Sequence, residues 1–251
     1  MTIKEFFLEN PKVAIAFSGG VDSAYLLYVA KQYAKEVRAY YVKSEFQPVF
    51  ELEDAKRLAR ELEADLRILS LSALELPGVK ENLADRCYYC KQGIFGAIWN
   101  AAREDGHTVL LDGTNASDDA LDRPGMKALK ELAVRSPLRE CGLTKTQIRQ
   151  LSKEAGLFTW DKPAYACLAT RIRTNEPITR EKLAATEAAE EYLFSLGFRD
   201  FRVRMQGGQA KIQLLEEQWD LMQQVRKKVL DELKKFYESV TIDLETRKPS
   251  L

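Results

Sequence analysis

Two of the four cysteines stand three residues apart, at Cys87 and Cys90 in the stretch RCYYCK. A Cys-x-x-Cys pair suits a reversible disulfide, half of a zinc site or part of an iron–sulfur site. A zinc site would need further ligands, for which Cys141 in RECGLTK and the single histidine, His107, are available. The spacing alone leaves all three kinds of site open.

Cys167 lies in the stretch WDKPAYACLATR, between Lys162 and Arg171. Positive charges on both sides would stabilise a thiolate, which is the reactive form of cysteine. A buried structural thiol is an equally good interpretation of one isolated cysteine, because cysteine is among the most buried residue types. Its chemistry therefore depends on what surrounds it.

The stretch AFSGGVDSAYLLY predicts an anion-binding turn. An apolar strand leads into Ser18, Gly19 and Gly20, and a helix follows that Asp22 and Ser23 open. Glycines let a ligand approach the backbone N–H groups, and the start of a helix adds partial positive charge, so a phosphate group could bind there. The turn lacks the Gly-Lys-Ser/Thr ending of a Walker A loop, which argues against handling of a γ-phosphate. A tight turn without a ligand is the simpler alternative.

Arg202 and Arg204 alternate with apolar residues in the stretch FRVRM. In a strand, this alternation places both guanidinium groups on one face and the apolar side chains on the other. Two planar forks on one face suit a phosphate group, although a solvated strand face would give the same pattern.

Strands and helices alternate along the first part of the chain. Short apolar runs typical of buried parallel strands occupy residues 13–17, 37–42, 66–71 and 108–112. Helical spacing fills the intervals, and a capping box at Thr144 begins another helix. This order predicts an α/β fold with a doubly wound parallel sheet, whose ligands lie at the carboxyl ends of the strands.

The pattern changes after the Cys167 stretch. A helix over about residues 179–196, a pair of strands (DFRVRM and AKIQLL), a long charged helix and a last strand over residues 240–244 predict a smaller α+β domain. We expect domains at 1–168 and 169–251, with the join near residues 168–177.

Composition excludes several classes of protein. The 251 residues contain 38 Lys and Arg against 38 Asp and Glu, so no basic excess predicts nucleic-acid binding. No apolar run is long enough to span a membrane, and four cysteines are too few for a secreted disulfide scaffold. We therefore expect a cytoplasmic globular protein.

The stretch from Ser18 to Ser23 resembles the Ser-Gly-Gly-x-Asp-Ser signature of the PP-loop ATP pyrophosphatases. This resemblance implies an adenine nucleotide α-hydrolase-like fold, cleavage of ATP between the α- and β-phosphates, and assistance by Mg²⁺. It extends to the stretch LDGTN. The implied ATP-binding residues are Ala16, Ser18, Gly19, Gly20, Asp22, Ser23, Gly113 and Thr114. Asp22 would lie on the Mg²⁺ side. Asp118, Asp119 and Asp122 follow GTNAS; such a run is usually a solvated loop, although one of these carboxylates could help to bind the metal.

Further motifs resemble the LarE-like sulfur-transfer enzymes that make the nickel-pincer cofactor of lactate racemase; they are RCYYCK, DGTN, RPG, VRSPL, GLTK, WDKPAYACLATR and FRVR. The resemblance implies a small-molecule substrate, pyridinium-3,5-biscarboxylic acid mononucleotide. A carboxylate of this substrate is adenylated, and sulfur then replaces the activated oxygen. Cys167 and Arg171 would be catalytic together with Asp22, and Arg202 and Arg204 would hold the substrate phosphate.

The family offers two sources of sulfur. In one branch the cysteine that matches Cys167 gives up its own sulfur and becomes dehydroalanine. In the other branch three cysteines hold a [4Fe–4S] cluster with one open iron site. Because this chain carries the Cys-x-x-Cys pair, the resemblance favours the second branch, with Cys87, Cys90 and Cys167 as ligands and sulfide or another sulfur donor. A homo-oligomer is also expected.

Three alternatives to this function remain. The first is tRNA thiolation, which the zero net charge argues against. The second is an ammonia-using amide ligase, which would leave the cysteines without a role. The third is a nucleotide-binding or redox module without turnover.

Overall fold

A computed structural model describes residues 1–118 and 124–249 of the chain. The chain divides into two compact units. One consists of Met1–Pro77 and Asp85–Lys162, and the other of Gly78–Ala84 and the chain from Pro163 onwards. The predicted pyrophosphatase domain at 1–168 and the predicted substrate domain at 169–251 stay a prediction.

The first unit is built on a parallel sheet with the strand order β3-β2-β1-β4. Its strands are β1 (Lys12–Ala16), β2 (Glu36–Lys43), β3 (Asp65–Ser70) and β4 (Leu110–Leu111). All four predicted strands are present, but β4 is shorter than predicted. Pairing nevertheless begins before it, because the Ala14 amide donates to the Val109 carbonyl at 2.9 Å.

Helices cover both faces of this sheet. They are α1 (Ile3–Glu9), α2 (Val21–Tyr33), α3 (Val49–Glu61), α4 (Arg86–Glu104), α5 (Pro124–Glu131), α6 (Pro137–Glu140) and α7 (Lys145–Glu154). Val13 and Ile15 pack into one buried cluster with α1, α2 and α7, whereas Ala14 packs into another with Trp99 of α4. Since successive residues of β1 face opposite cores, the predicted doubly wound α/β fold is confirmed. The capping box at Thr144 is also confirmed.

The order of the strands reverses at β1. The chain runs from β1 to β2 and β3 on one side and returns to β4 on the other side. The loops that leave the carboxyl ends of β1 and β4 therefore part in opposite directions, which opens a crevice where α/β sheets bind ligands. Both loops carry residues of the predicted ATP site.

The second unit is a small α+β structure. It contains α8 (Arg180–Ser195), β5 (Arg202–Gln206), β6 (Gln209–Gln213), α9 (Trp219–Leu233) and β7 (Ser239–Ile242). Strands β5 and β6 form an antiparallel hairpin, and β7 lies parallel to β6. The predicted α-β-β-α-β order is thus confirmed. A buried cluster joins the apolar face of the sheet to residues of α8 and α9, including Leu193 and Val229.

The hairpin turn depends on Gly207 and Gly208. Both have positive φ, at 51° and 80°. Such a two-residue turn matches the twist of the flanking strands, and glycine adopts it without steric cost.

Among the described residues, no helix is both long and apolar enough to cross a membrane.

Candidate functional site

The loop after β1 has the geometry of an anion site. Gly20 is the N-cap of α2, and no side chain caps it. Gly19 has a φ of 73°, and a Cβ there would lie 3.3 Å from the Cβ of Ala55 and from the carbonyl of Glu51. Because of both constraints, the turn requires glycine at position 19. The first N–H groups of α2 therefore have no side-chain cap, and they are available to bind an anion.

Hydroxyl groups brace this loop from within. The Ser18 and Ser23 Oγ atoms lie 3.1 Å apart, and the Ser23 hydroxyl donates to the Gly20 carbonyl at 3.1 Å. Ala16 ends β1 immediately before the loop. These bonds hold the loop in one conformation, which is the preorganisation that phosphate binding by backbone groups needs.

The loop after β4 packs directly against the start of α2. A Cβ at Gly113 would lie only 2.9 Å from the backbone nitrogen of Ser23, so no larger residue fits. Next to it, the buried Asp112 accepts hydrogen bonds from the Thr114 amide at 3.3 Å and from the Ser136 hydroxyl at 2.6 Å. The structure therefore brings together the two loops that the sequence predicts for ATP. Their role in nucleotide binding stays a prediction.

Asp22 is engaged by a residue to which the sequence analysis gave no role. Lys145, the first residue of α7, places its Nζ 2.6 Å from Asp22 Oδ2. Asn115 Nδ2 lies 3.4 Å from the other carboxylate oxygen. Burial raises the pKa of Asp22, and Lys145 opposes that rise. The signal was available, since GLTK is one of the family motifs and ends on this lysine.

The predicted acidic metal ligands are only partly described. Asp118 Oδ2 accepts a hydrogen bond from the Asn115 amide at 3.0 Å, and its charge also raises the pKa of Asp22. Asp119 and Asp122 lie outside the described residues. Within the described parts of the chain, no group of three or more His, Cys, Asp or Glu side chains is arranged to hold a metal ion.

The Cys-x-x-Cys pair lies at the start of α4. Cys87 is exposed, whereas Cys90 is buried. Residues three apart in a helix share a face, so both thiols belong to one side of the first turns. The pair is part of the first unit and Cys167 is part of the second. A joint site of the three cysteines therefore stays a prediction.

The alternative zinc ligands are held elsewhere in the first unit. Cys141 is half-buried beside the main core, and burial raises the pKa of its thiol. His107 is buried, and its pKa is lowered chiefly by that burial. It precedes β4 and so lies at the opposite end of that strand from Gly113.

Cys167 stands at the start of a short 3-10 turn, Leu168–Arg171, in the second unit. Its carbonyl accepts hydrogen bonds from the Thr170 amide at 3.0 Å and the Thr170 hydroxyl at 2.8 Å. Arg171 is fully buried and donates from Nη1 to the Ala166 carbonyl at 2.8 Å. The backbone carbonyls on either side of the Cys167 Cα, those of Ala166 and Cys167, are therefore both hydrogen-bonded.

The two cations expected to stabilise the Cys167 thiolate have other partners. Lys162 forms an ion pair with Asp54 in the first unit, with Nζ and Oδ2 2.7 Å apart. Arg171 is paired with Glu190, at 2.8 Å from Nε to Oε1 and 3.1 Å from Nη2 to Oε2. The catalytic role of Arg171 stays a prediction.

Glu190 was missed by the sequence analysis. This buried carboxylate of α8 also accepts hydrogen bonds from the Tyr165 hydroxyl and, at 2.9 Å, from the Val203 amide. It ties the Cys167 segment to β5. A glutamate within a helix of mixed polarity gives no sequence signal for such a role.

Arg202 and Arg204 lie on one face of β5, as predicted, but neither side chain is fully exposed. Arg202 is buried and donates to the Ala164 carbonyl, and Arg204 is half-buried and donates to the Thr170 carbonyl. Burial, followed by the charges of Arg171 and Arg247, lowers the pKa of Arg202 to about 10 and lowers that of Arg204 as well. Cations that are destabilised in this way favour a bound anion.

Comparison with known proteins gives one family and several relatives. Residues 7–238 match the asparagine synthase family. The chain is 36% identical to an uncharacterized protein of Synechocystis over 97% of this chain and 92% of that protein. It is also 36% identical to pyridinium-3,5-bisthiocarboxylic acid mononucleotide synthase of Lactiplantibacillus plantarum, over 82% of this chain and 75% of the synthase. A tRNA-specific 2-thiouridylase of Clostridium botulinum is 28% identical over 60% of this chain and 52% of that enzyme.

Proposed function

Because this chain belongs to the LarE-like ATP-dependent sulfurtransferases of the PP-loop superfamily, we propose that it inserts sulfur into pyridinium-3,5-biscarboxylic acid mononucleotide. The observation that carries this proposal is the 36% identity to the mononucleotide synthase over 82% of the chain. The convergence of the two predicted ATP loops and the arginine pair on β5 support it.

The first step activates a carboxylate of the substrate. A carboxylate oxygen attacks the α-phosphorus of ATP, the bond to the bridging β-phosphate oxygen breaks, and pyrophosphate leaves. The N–H groups at the start of α2, beyond Gly20, would bind the departing pyrophosphate, and Gly113 and Thr114 would close over the nucleotide. Mg²⁺ would offset phosphate charge beside Asp22, with Lys145 as a second positive charge at the same carboxylate.

The second step replaces oxygen with sulfur. A sulfur nucleophile attacks the carbonyl carbon of the acyl adenylate, the bond from that carbon to the AMP oxygen breaks, and a thiocarboxylate and AMP result. Arg202 and Arg204 would hold the substrate phosphate, because charged forks on one strand face give bidentate contacts to phosphate oxygens.

We propose that the sulfur comes from a cluster rather than from the polypeptide. Cys87, Cys90 and Cys167 would be the ligands of a [4Fe–4S] cluster, and the shared helix face of the first two supports this ligand set. When bound, such a cluster supplies an iron site that can carry a transferable sulfide.

The sacrificial alternative uses Cys167 itself. Its thiolate would displace AMP to form a thioester; loss of the Cα proton would then break the Cβ–S bond. The products are the thiocarboxylate and dehydroalanine at position 167. This route allows one transfer for each chain.

The similarity to a thiouridylase supports tRNA thiolation as a second candidate. The equal numbers of basic and acidic residues argue against a polyanionic substrate. Salt-sensitive binding of tRNA would favour this candidate.

The match to the asparagine synthase family keeps the amide ligase as a third candidate. An amide ligase predicts ATP-dependent amidation that is unchanged when all three candidate ligand cysteines are replaced by alanine.

The test of the proposal is an assay with ATP, Mg²⁺, sulfide and the mononucleotide. We expect a thiocarboxylate product, detected by mass spectrometry, with one pyrophosphate and one AMP released for each sulfur inserted. Pyrophosphate release that depends on ammonia and yields an amide would overturn the proposal. A homo-oligomeric enzyme in the cytoplasm remains an expectation.

A further inference from the structure

The arginines of β5 are bonded to the backbone that carries Cys167. Arg202 donates to the carbonyl of Ala164, and Arg204 donates from Nη1 to the carbonyl of Thr170. These carbonyls stand at the two ends of the segment 164–170. One strand face therefore holds both ends of the segment that presents the thiol.

Other bonds fix the middle of the segment. Arg171 donates to the Ala166 carbonyl, and Thr170 closes the turn onto the Cys167 carbonyl through its amide and its hydroxyl. The buried carboxylate of Glu190 receives Arg171 and the Val203 amide, so it joins this segment to β5 between the two arginines. The turn and the strand thus form one hydrogen-bonded body within the second unit.

Arg204 can hold the turn and a ligand at the same time. Its Nε donates to Gln213 Oε1 at 3.0 Å and its Nη1 donates to Thr170, so an anion would take the Nη2 group. Hydrogen bonds from a charged donor in a half-buried site are stronger than neutral ones. The guanidinium is therefore placed to fix the distance between a bound phosphate and the segment with the thiol.

We propose that Arg202 and Arg204 are positioning residues for Cys167, in addition to any contact with substrate. They fix the ends of segment 164–170 and so set where the thiol stands relative to the arginine face of β5. The catalytic consequence rests on the proposed sulfur transfer, but the restraint on the segment does not.

The restraint can be measured in the full-length protein by hydrogen–deuterium exchange of peptides that cover residues 164–171. For Arg204→Met we expect exchange there to rise about tenfold or more, the effect of losing one charge-assisted hydrogen bond. Arg204→Lys keeps one charged donor near Thr170 and should return exchange toward that of the wild type. The matched control is Lys211→Met, since Lys211 pairs with Arg204 in register and shares its face, but bonds to Asp243 instead.

Two results would overturn the proposal. Unchanged exchange at residues 164–171 in Arg204→Met would show that the bond restrains nothing. An equal rise across α8, β6 and the segment would show that Arg204 merely stabilises the whole unit. Should Arg204→Met fail to fold, Arg204→Gln, which shortens the side chain and removes the charge, supplies the same comparison, with a rise confined to the segment as the supporting result and no difference from wild type as the overturning one.

Enzyme kinetics separate positioning from binding. With substrate at saturation, a positioning role predicts that Arg204→Met lowers kcat and that Arg204→Lys restores part of it, whereas a role in binding alone raises KM and leaves kcat unchanged in both variants. An unchanged kcat would overturn the catalytic part of the proposal. Absence of sulfur transfer in the wild type, with the local rise in exchange intact, would instead reject the proposed function and leave the restraint established.

Discussion

Lys145 Nζ lies 2.6 Å from Asp22 Oδ2 and joins the first turn of α7 to the first turn of α2. Both groups are partly buried, and burial raises the pKa of Asp22 while Lys145 opposes that rise. Lys145, a residue of another helix, therefore favours the ionised form of the carboxylate that is expected on the Mg²⁺ side of the nucleotide. This relationship makes Lys145 part of the candidate site.

Lys145→Met should reduce substrate-dependent pyrophosphate release at least about tenfold, because a charge-assisted hydrogen bond contributes roughly 1.5–3 kcal/mol. Lys145→Arg, which keeps the charge, should retain more activity. Lys153→Met is the control, since Lys153 is an exposed residue of the same helix. Wild-type rates in Lys145→Met would show that the ion pair has no part in catalysis.

The same variant should change the pH dependence of activity. Lys145 lowers the pKa of Asp22, so its removal raises that pKa further above the ordinary value. If ionised Asp22 is needed, the acid limb of the pH profile moves to higher pH in Lys145→Met. A limb that stays in place, or moves to lower pH, would mean that activity does not depend on ionisation of Asp22.

Gly20→Val and Asp22→Ala should each abolish pyrophosphate release while the protein stays folded. A Cβ at Gly20 would have the Ser18 hydroxyl as its near neighbour, at an ordinary 3.4 Å, and the backbone there is extended, so valine fits the protein but obstructs a phosphate. Gly96→Ala is a matched control, because a Cβ at that helical position meets nothing within 4 Å. Circular dichroism checks folding, and normal pyrophosphate release from both site variants would reject the loop assignment.

The residues of the β1 loop could be predicted because local rules determine them. A buried strand, a glycine pair and a helix start follow each other directly. Gly19 has a φ of 73°, which glycine adopts without steric cost, so the residue type itself indicates the turn. The capping box at Thr144 is of the same kind. Such signals depend on neighbours within a few residues, so they can be read without the fold.

The partners of the charged groups could not be predicted in this way. Asp22 and Lys145 are 123 residues apart in the chain, and nothing local pairs them. The alternation around Arg202 gave the correct strand face, but the Ala164 carbonyl to which Arg202 donates lies 38 residues earlier in the chain. Contacts between residues so far apart in the chain depend on how the elements pack. Hydrophobic periodicity predicts the elements but not their packing.

The sequence also did not predict that Gly78–Ala84 belongs to the second unit. Asn82 donates from Nδ2 to the Arg173 carbonyl at 2.9 Å, and its own carbonyl accepts from the Asn175 amide at 2.9 Å. An asparagine in a polar connection gives no indication of a partner that lies so far along the chain. A domain boundary placed from composition alone omits such a segment.

Arg202→Met and Arg204→Met should each weaken binding of the mononucleotide by roughly tenfold or more, since each removes a charged fork but keeps an apolar stem. The measurement is the equilibrium Kd for the substrate without ATP. Lys211→Met on the same sheet face should bind as the wild type does. An unchanged Kd in both arginine variants would show that the substrate phosphate binds elsewhere.

Each of the single variants Cys87→Ala, Cys90→Ala and Cys167→Ala should contain less iron and acid-labile sulfide after anaerobic purification. Each should also lose repeated turnover. Cys141→Ala is the internal control and should keep both, because the proposed cluster does not use it. A set of variants in which only Cys141→Ala loses iron would contradict the ligand assignment.

The most direct measurement of the central claim follows product and protein mass in one reaction. Anaerobic enzyme is incubated with ATP, Mg²⁺, sulfide and excess mononucleotide, and both thiocarboxylate and intact chain are quantified by mass spectrometry. Sulfur transfer from a cluster predicts more than one thiocarboxylate for each chain, with Cys167 unaltered. At most one product for each chain, with the protein lighter by one hydrogen sulfide at Cys167, would contradict it.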